Sequence, residues 1–288
     1  MSRVAIVTDS AADLTPADAR QAGITVVPLE ITFGSERFRA GVDLTTEEFW
    51  ARMVAPEAPF PTTAAASPGE FRDAFEACFA AGAEAIVCVD VAETLSGTIK
   101  SARIARDMLP GREIEIVDSR SASMGVGLLA LLGAELAAAG RSAAEIAATL
   151  EQRRDDIDLY VVLDTLEYLK KGGRIGSAQA ALGGLLAVKP IITVRDGQVV
   201  TADRVRTRSK GRERCLELLT AQPAERASVL HGMAPDVEAF RDELIRRMPG
   251  GIDPALVSIQ PIGPSVGPHL GPGCLGGVVL HRRSAAGA

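Results

Sequence analysis

Short aliphatic runs alternate with amphipathic segments through the first half of the chain. Four runs are predicted to be extended: residues 4–7, 24–33, 85–91 and 113–117. The segments between them carry helix-start signals, since Thr45 precedes Glu48 and Ser67 precedes Glu70 at the spacing of a capping box. Strands that alternate with helices are typical of parallel βαβ units. The first half is therefore predicted to contain a parallel, Rossmann-like sheet.

The pattern changes in the second half of the chain. Residues 188–194 and 198–205 flank the dipeptide Asp196-Gly197, which predicts a hairpin with a two-residue turn. Because a hairpin is antiparallel, the second sheet is predicted to be mixed. The predicted fold class is α/β with two domains. They comprise an N-terminal domain at 1–156, a C-terminal domain at 157–283 and a flexible tail at 284–288.

Composition narrows the class of protein. The chain has 288 residues, of which 47% are hydrophobic and 4% aromatic, so its core is predicted to be mainly aliphatic. The formal charge of −6 argues against a general nucleic-acid-binding role. The N-terminal apolar run is too short for a signal peptide, and no run of eighteen apolar residues follows it. These features predict a cytoplasmic protein.

Two observations argue against common cofactors and metals. The four cysteines form no Cys-x-x-Cys pair, and no histidine stands at metal-ligand spacing from them, so no metal site is predicted. The run Gly125-Val126-Gly127 matches a dinucleotide fingerprint by its letters, but several residues separate it from the preceding strand. These small residues are predicted to permit close helix packing. No cofactor is expected.

Polar side chains recur where predicted strands and helices end. The segments are Thr8-Asp9-Ser10, Pro61-Thr62-Thr63, Leu95-Ser96-Gly97-Thr98, Gly172-Gly173-Arg174-Ile175 and His269 to Gly273. Ser96, Gly97 and Thr98 open a predicted helix, whose free N–H groups and hydroxyls can hold a carboxylate or phosphate. A simple helix cap at Ser96 explains the same residues. Thr63, in a loop rich in proline and alanine, offers a further hydroxyl. Together the segments predict a site for an anionic head group beside apolar surface.

Ser96 is also a candidate nucleophile. It lacks the Gly-x-Ser-x-Gly elbow, and a triad would require one of the three histidines beside it. His269 is the candidate because it is predicted to lie in a loop rich in glycine and proline. His231 and His281 fall in or at the end of predicted strands and are expected to be structural.

A local basic run covers residues 204–210 in this acidic chain. Alternation along a strand would place Arg204, Arg206 and Arg208 on one face. That face is either a solvated edge strand protected by its charge or a docking surface for an acidic or phosphate-bearing partner. Arg174, which follows two glycines at a predicted helix end, is either solvated or part of such a surface.

The ordered set of segments resembles the DegV family, whose best-understood members are the fatty-acid-binding subunits of bacterial fatty acid kinase. The resemblance extends over residues 4–282. It implies two α/β domains with a long-chain fatty acid buried between them. The carboxylate would be held by Thr63 and by Ser96, with Gly97 and Thr98 beside it, and His269 would approach from the second domain. The chain by itself would carry no catalytic residue.

The resemblance also implies partners. A separate kinase subunit would phosphorylate the bound carboxylate, acyl-transfer enzymes of phospholipid synthesis would use the product, and contact with a membrane surface would be transient. Arg174 and Arg206 match family positions associated with the kinase step, so partner docking or phosphoryl transfer is implied for them, not chain binding.

One departure from the family pattern keeps alternatives open. The family commonly has Thr-Ser-Gln-Pro-Ser where this chain has Thr63-Ala64-Ala65-Ala66-Ser67, so a hydroxyl and an amide are lost beside the head group. Head-group binding is then weaker, or the ligand differs. The alternatives are a Ser96/His269 hydrolase, a small-molecule phosphotransferase, and a regulatory protein that binds another apolar anion.

Overall fold

A computed structural model describes residues 3–178 and 188–283. The tail predicted at 284–288 lies outside the described residues. Within the described ranges the strands form a four-stranded, a six-stranded and a three-stranded sheet. In this part of the chain no helix is long and apolar enough to cross a membrane.

The first half contains the four-stranded sheet and the three-stranded sheet. Its strands are β1 (Val4–Asp9), β2 (Ile24–Val27), β3 (Glu30–Phe33), β4 (Glu36–Arg39), β5 (Thr62–Ala64), β6 (Ala85–Asp90) and β7 (Glu113–Asp118). Its helices are α1 (Pro16–Ala22), α2 (Thr46–Met53), α3 (Pro68–Ala80), α4 (Thr98–Asp107), α5 (Met124–Ala138) and α6 (Ala143–Arg153). The larger sheet has the order β2-β1-β6-β7 with all pairs parallel, which confirms the predicted parallel sheet.

The prediction of one extended run over residues 24–33 is wrong. The run is split into β2, which joins the parallel sheet, and β3, which pairs with β4 and β5 in the small antiparallel sheet. Pro28 lies at the break and has no N–H to donate to a ladder. The next N–H, that of Leu29, donates to Ser10 Oγ at 2.8 Å instead of to a strand.

The second half forms the six-stranded sheet. Its strands are β8 (Ile157–Val162), β9 (Lys189–Arg195), β10 (Gln198–Val205), β11 (Ala224–His231), β12 (Val257–Pro261) and β13 (Leu275–His281). Its helices are α7 (Glu167–Lys171), α8 (Arg208–Leu219), α9 (Val237–Arg247) and α10 (Gly267–Leu270). The order is β10-β9-β8-β13-β11-β12, and β11–β12 is a parallel pair in an otherwise antiparallel sheet. The mixed sheet and the hairpin between β9 and β10 confirm the prediction.

The helix α5 lies between the two larger sheets. It contacts β1 and β6 on one side and β8, β11 and β13 on the other, so it is apolar over most of its surface. Gly125 and Gly127 permit this packing: a Cβ on Gly127 would lie 2.7 Å from the Ala12 carbonyl oxygen, and one on Gly125 would overlap Ser121. The prediction that these glycines serve helix packing is confirmed.

Capping signals read from the sequence also hold. Thr45 and Ser67 each accept a backbone N–H three residues ahead, while Glu48 and Glu70 accept the N–H of their own cap residue. One face of α3 is hydrophobic, with Phe71, Phe75 and Cys78 buried and Phe79 partly buried.

Candidate functional site

A narrow cavity lies between the two larger sheets. Six apolar side chains of the second sheet line it: Leu159, Val161, Ile192, Val194, Val199 and Leu230. The first half contributes Ala11, Leu29, Val91, Leu95 and Ala122. The cavity measures about 90 Å³, smaller than the roughly 300–1,000 Å³ of usual small-molecule sites. A long ligand therefore has to displace side chains that line it.

One part of the cavity wall is polar and is built from both halves of the chain. Thr63 on β5 and His269 on α10 meet there, with 3.2 Å between Thr63 Oγ1 and His269 Nε2. Ser96 and Arg174 line the same cavity. We call Thr63, Ser96, Arg174 and His269 the polar tetrad. Three of its residues offer hydroxyl or guanidinium donors, which are the groups that compensate a buried carboxylate.

Two residues of the tetrad occupy elements that the sequence did not predict. Thr63 was expected in a loop but lies in the short strand β5, where it pairs with Ile31 of β3. His269 was also expected in a loop but lies on the four-residue helix α10, which Pro268 helps to start. The strand and the short helix fix both side chains more firmly than loops would.

The segment before α4 differs from the predicted cap. Gly97, not Ser96, is the N-cap residue of the helix, and it has no side chain to bond the free N–H groups. Ser96 Oγ lies 2.7 Å from Thr98 Oγ1 and accepts the Thr98 N–H at 3.3 Å. Thr98 is fully buried, and in the described part of the chain the cavity lining includes Ser96 but neither Gly97 nor Thr98. Thr98 thus orients the Ser96 hydroxyl.

Arg174 belongs to the cavity. Its Nε donates to the Leu95 carbonyl oxygen at 3.1 Å and its Nη1 to that of Gly172 at 2.9 Å. The family resemblance implied a role for Arg174 outside ligand binding, but its guanidinium lies beside the other tetrad residues. Arg174 stands in one of the polar segments singled out above, but its place in the cavity could not be predicted, because the helix α7 and the loop before α4 are far apart in the chain.

The predicted alternation of three arginines is wrong. The strand β10 ends at Val205, so only Arg204 lies on it; Arg206 is exposed in the following bend. Arg208 begins α8 and turns inward, where its Nη1 donates to the Gly273 carbonyl oxygen at 2.7 Å. Among the described residues, Arg206 is outside the cavity lining.

Burial controls the charge of His269. Burial, and next the positive charge of Arg174, lower the pKa of His269 to about 4, so its ring is neutral at physiological pH. Its Nδ1 is buried without a hydrogen-bond partner in the described part of the chain, and it lies so close to Gly172 that a Cβ there would overlap it. Nε2 is therefore the ring nitrogen directed toward Thr63.

This geometry does not match a serine hydrolase built on Ser96. The Ser96 hydroxyl bonds Thr98, whereas His269 lies against Thr63. In the described ranges no carboxylate bonds His269 Nδ1 to orient the ring as a triad requires. His281 has a structural contact, as expected, because its Nε2 lies 3.0 Å from Asp158 Oδ2.

A second polar group lies at the cavity, and only its Ser10 stands in a segment singled out from the sequence. Ser123 and Ser265 line the cavity, and behind them lie Asp13 and Ser10. Ser123 Oγ donates to Asp13 Oδ2 at 2.6 Å, the Gly263 N–H donates to Asp13 Oδ1 at 2.9 Å, and Ser10 Oγ lies 2.8 Å from Ser265 Oγ. This polar partition separates the cavity from a cleft of about 1040 Å³. Burial raises the pKa of Asp13 to about 7.

Metal ligands are not clustered in the described residues, where no group of three or more His, Cys, Asp or Glu side chains could hold an ion. All four cysteines are buried thiols.

The fold and the cavity define an α/β protein with a parallel and a mixed sheet and a polar tetrad at the apolar space between them. A sequence profile of the DegV family, described as uncharacterised proteins, matches residues 3–282. A DegV domain-containing protein of Streptomyces coelicolor is 37% identical over 288 residues, covering 98% of this chain and 100% of its own. This chain belongs to the DegV family.

Solved structures give the same fold. A DegV family protein from Thermus thermophilus, described by its fatty acid binding, has a TM-score of 0.89 at 34% identity, over 97% of this chain and 100% of that one. A stearic-acid-binding protein from Eubacterium ventriosum has a TM-score of 0.87 at 28% identity, over 97% of this chain and 98% of that one. The predictions of the family and of an α/β fold with a parallel and a mixed sheet are confirmed.

The buried Asp13 predicts a pH-dependent stability. Its pKa in the folded protein is about 7, above the ordinary 3.8, so between these values the folded state holds a proton that the unfolded state has lost. The free energy of unfolding should therefore fall as pH rises from 5 to 8, on the order of 2–3 kcal/mol from this group. Asp13→Asn should remove this decrease in stability, because an amide does not titrate. The variant should still fold, since the amide can accept from the Gly263 N–H and donate to Ser123.

Urea unfolding at a series of pH values measures this difference. Asp9 titrates in both proteins, so subtracting the two profiles leaves the contribution of Asp13 together with its electrostatic interaction with Asp9. A wild-type profile parallel to that of Asp13→Asn contradicts the assignment.

Proposed function

We propose that this protein binds a long-chain fatty acid, with the acyl chain between the two larger sheets and the carboxylate at the polar tetrad. The observation that carries the proposal is the apolar cavity between the two halves, with hydroxyls and one guanidinium grouped on its wall. Fatty acid binding by the Thermus and Eubacterium relatives supports it.

Hydrophobic transfer supplies the affinity. At about 0.8 kcal/mol per CH₂, a chain of about sixteen carbons gains roughly 10–12 kcal/mol on burial. Ordering the ligand and displacing the side chains that fill the narrow cavity reduce this gain. Enough remains for tight binding.

The carboxylate needs its own compensation, because an ionised group buried without partners is strongly unfavourable. Arg174 provides a positive charge, and the hydroxyls of Thr63 and Ser96 provide neutral donors. The Ala64 and Ala65 side chains also line the cavity, so the departure from the family pattern replaces polar groups by methyls at the lining itself. The charged contact of Arg174 therefore matters more here.

We propose further that the bound carboxylate is presented to a separate kinase subunit, which converts it to an acyl phosphate for acyl-transfer enzymes of phospholipid synthesis. The chain itself would be a cytoplasmic binding subunit without catalytic residues, in transient contact with a membrane surface when it collects its ligand. The exposed position of Arg206, outside the cavity lining of the described residues, supports a docking role for that residue.

Native mass spectrometry of protein purified from a bacterial host, followed by solvent extraction, tests the ligand. The wild-type protein should carry one fatty acid. Thr63→Val keeps the shape of the side chain but removes the hydroxyl, so a buried oxygen of the fatty acid carboxylate loses its hydrogen-bond donor. Fatty acid affinity should therefore fall by about tenfold or more. Arg174→Met should weaken binding at least as much, since it removes the charge.

Thr62→Val is the matched control, because Thr62 is the exposed neighbour of Thr63 on β5. It should bind like the wild type. A wild-type protein that is empty and refuses added fatty acids overturns the proposal and favours another apolar anion. Equal losses at positions 62 and 63 overturn the tetrad as the carboxylate site.

Arg174 and Arg206 are expected to differ in their effects on fatty acid binding and on phosphorylation by the kinase. With a fatty acid kinase catalytic subunit and ATP, Arg206→Ala should keep fatty acid affinity within about twofold and lower acyl-phosphate formation, because a docking charge acts on the partner. Arg174→Met should lower both. Arg204→Ala is the control, because Arg204 is an exposed arginine near the end of β10, two residues before Arg206. Equal loss of binding and phosphorylation in Arg206→Ala contradicts a docking role.

A further inference from the structure

Two carboxyl groups are buried side by side beneath the cavity. Asp9 ends β1 and Asp90 ends the neighbouring strand β6, and both side chains are 0% exposed. Asp9 Oδ1 accepts the Ala11 N–H at 2.6 Å, and Asp9 Oδ2 accepts the Val91 N–H at 2.8 Å. Ala11 and Val91 both line the cavity. A single carboxylate therefore holds the backbone of two wall residues that come from different loops.

Asp90 has a different set of contacts. Its Oδ2 accepts the Cys88 thiol at 3.2 Å, while its Oδ1 is buried and has no hydrogen-bond partner among the described residues. Asp9 and Asp90 directly follow the register pair Thr8–Val89 of the parallel strands β1 and β6, so the two carboxyl groups lie side by side on neighbouring strands. Two adjacent buried carboxylates cannot both be ionised without a large cost, and one shared proton removes that cost.

We propose that Asp90 is a neutral carboxylic acid that donates its O–H to the Asp9 carboxylate, and that this pair positions Ala11 and Val91 in the wall of the acyl cavity. The effect on ligand binding rests on the proposed fatty acid function, whereas the shared proton does not. Asp90 and Asp9 are positioning residues, since they act on the cavity through the backbone.

The contacts decide which group holds the proton. Asp9 accepts two backbone N–H groups, which stabilise its charged form, whereas Asp90 accepts one weak S–H donor. Burial accordingly raises the pKa of Asp9 to about 6 and raises the pKa of Asp90 well above its usual range. At neutral pH, Asp9 is charged and Asp90 is protonated.

Other titratable groups lie around the pair. They are Cys78 on α3, Cys88 on β6, Asp118 at the end of β7 and Asp13 in the loop after β1. The carboxyl groups of Asp118 and Asp13 oppose a second negative charge on the pair, whereas the Cys88 S–H, which donates to Asp90 Oδ2, favours it. Burial and the neighbouring Asp9 outweigh this one weak hydrogen bond.

Substitutions of Asp90 distinguish a hydrogen-bond donor from a space-filling residue. Asp90→Asn keeps a donor toward Asp9, so stearate affinity should stay within about twofold of wild type. Asp90→Leu keeps similar volume without a donor and should weaken stearate binding by about tenfold or more. Asp118→Asn makes the same change at the end of the next strand and should bind like the wild type.

Two further measurements follow the shared proton and the wall directly. An infrared difference spectrum of wild type minus Asp90→Asn at pH 8 should contain the carbonyl band of a protonated carboxyl group. Amide hydrogen exchange at Ala11 and Val91 should accelerate in Asp90→Leu and stay slow in Asp90→Asn.

Failure of this inference is distinguishable from failure of the proposed function. If the wild-type protein does not bind stearate, the proposed fatty acid function is wrong. The infrared band and the amide exchange then still test whether Asp90 donates a proton to Asp9. Absence of the band, or an Asp90→Asn protein as impaired as Asp90→Leu, overturns the proton-bridged pair. If Asp90→Leu does not fold, the infrared difference spectrum between wild type and Asp90→Asn alone tests whether Asp90 is protonated.

Discussion

The cost of removing charge from water is the constraint on which this structure depends. Apolar side chains from two sheets surround the cavity, so every ionisable group near it has to be neutral, paired or supplied with donors. His269 is neutral, Asp13 is held by Ser123 and the Gly263 N–H, and Asp9 is held by two backbone N–H groups. A fatty acid carboxylate placed there has to meet the same requirement, and Arg174 supplies the compensating positive charge.

The site exists because the two halves of the chain meet. Thr63 and Ser96 come from the first half, and Arg174 and His269 from the second, so the separation of the two sheets would disperse the tetrad. Helix α5 holds the sheets together by contacting strands of both, and its glycines set how closely it approaches the loop after β1. Residues that bind nothing themselves thus determine the width of the cavity.

Local signals in the sequence predicted the elements that local physics determines. The parallel sheet, the hairpin at Asp196-Gly197 and the capping boxes follow from periodicity, turn residues and side-chain caps. Thr63, Ser96, Arg174 and His269 all stand in polar segments that were singled out from the sequence, and all four line one cavity. Their part in binding a carboxylate stays a prediction. The inward position of Arg174, the three-residue strand β5 and the contacts of Asp13 depend on tertiary neighbours, and no local pattern marks them. Hydroxyls and carboxylates at strand ends are common, and only the fold decides which of them are buried together.

A crystal structure with a fatty acid brominated at its terminal carbon would show whether the tetrad binds the carboxylate, because the bromine locates the other end of the chain. We expect the carboxylate within hydrogen-bonding distance of Thr63 and Arg174, with the bromine among aliphatic side chains between the two sheets. A ligand in the large cleft beside Trp50 and Met233, or one with its carboxylate away from the tetrad, would contradict it.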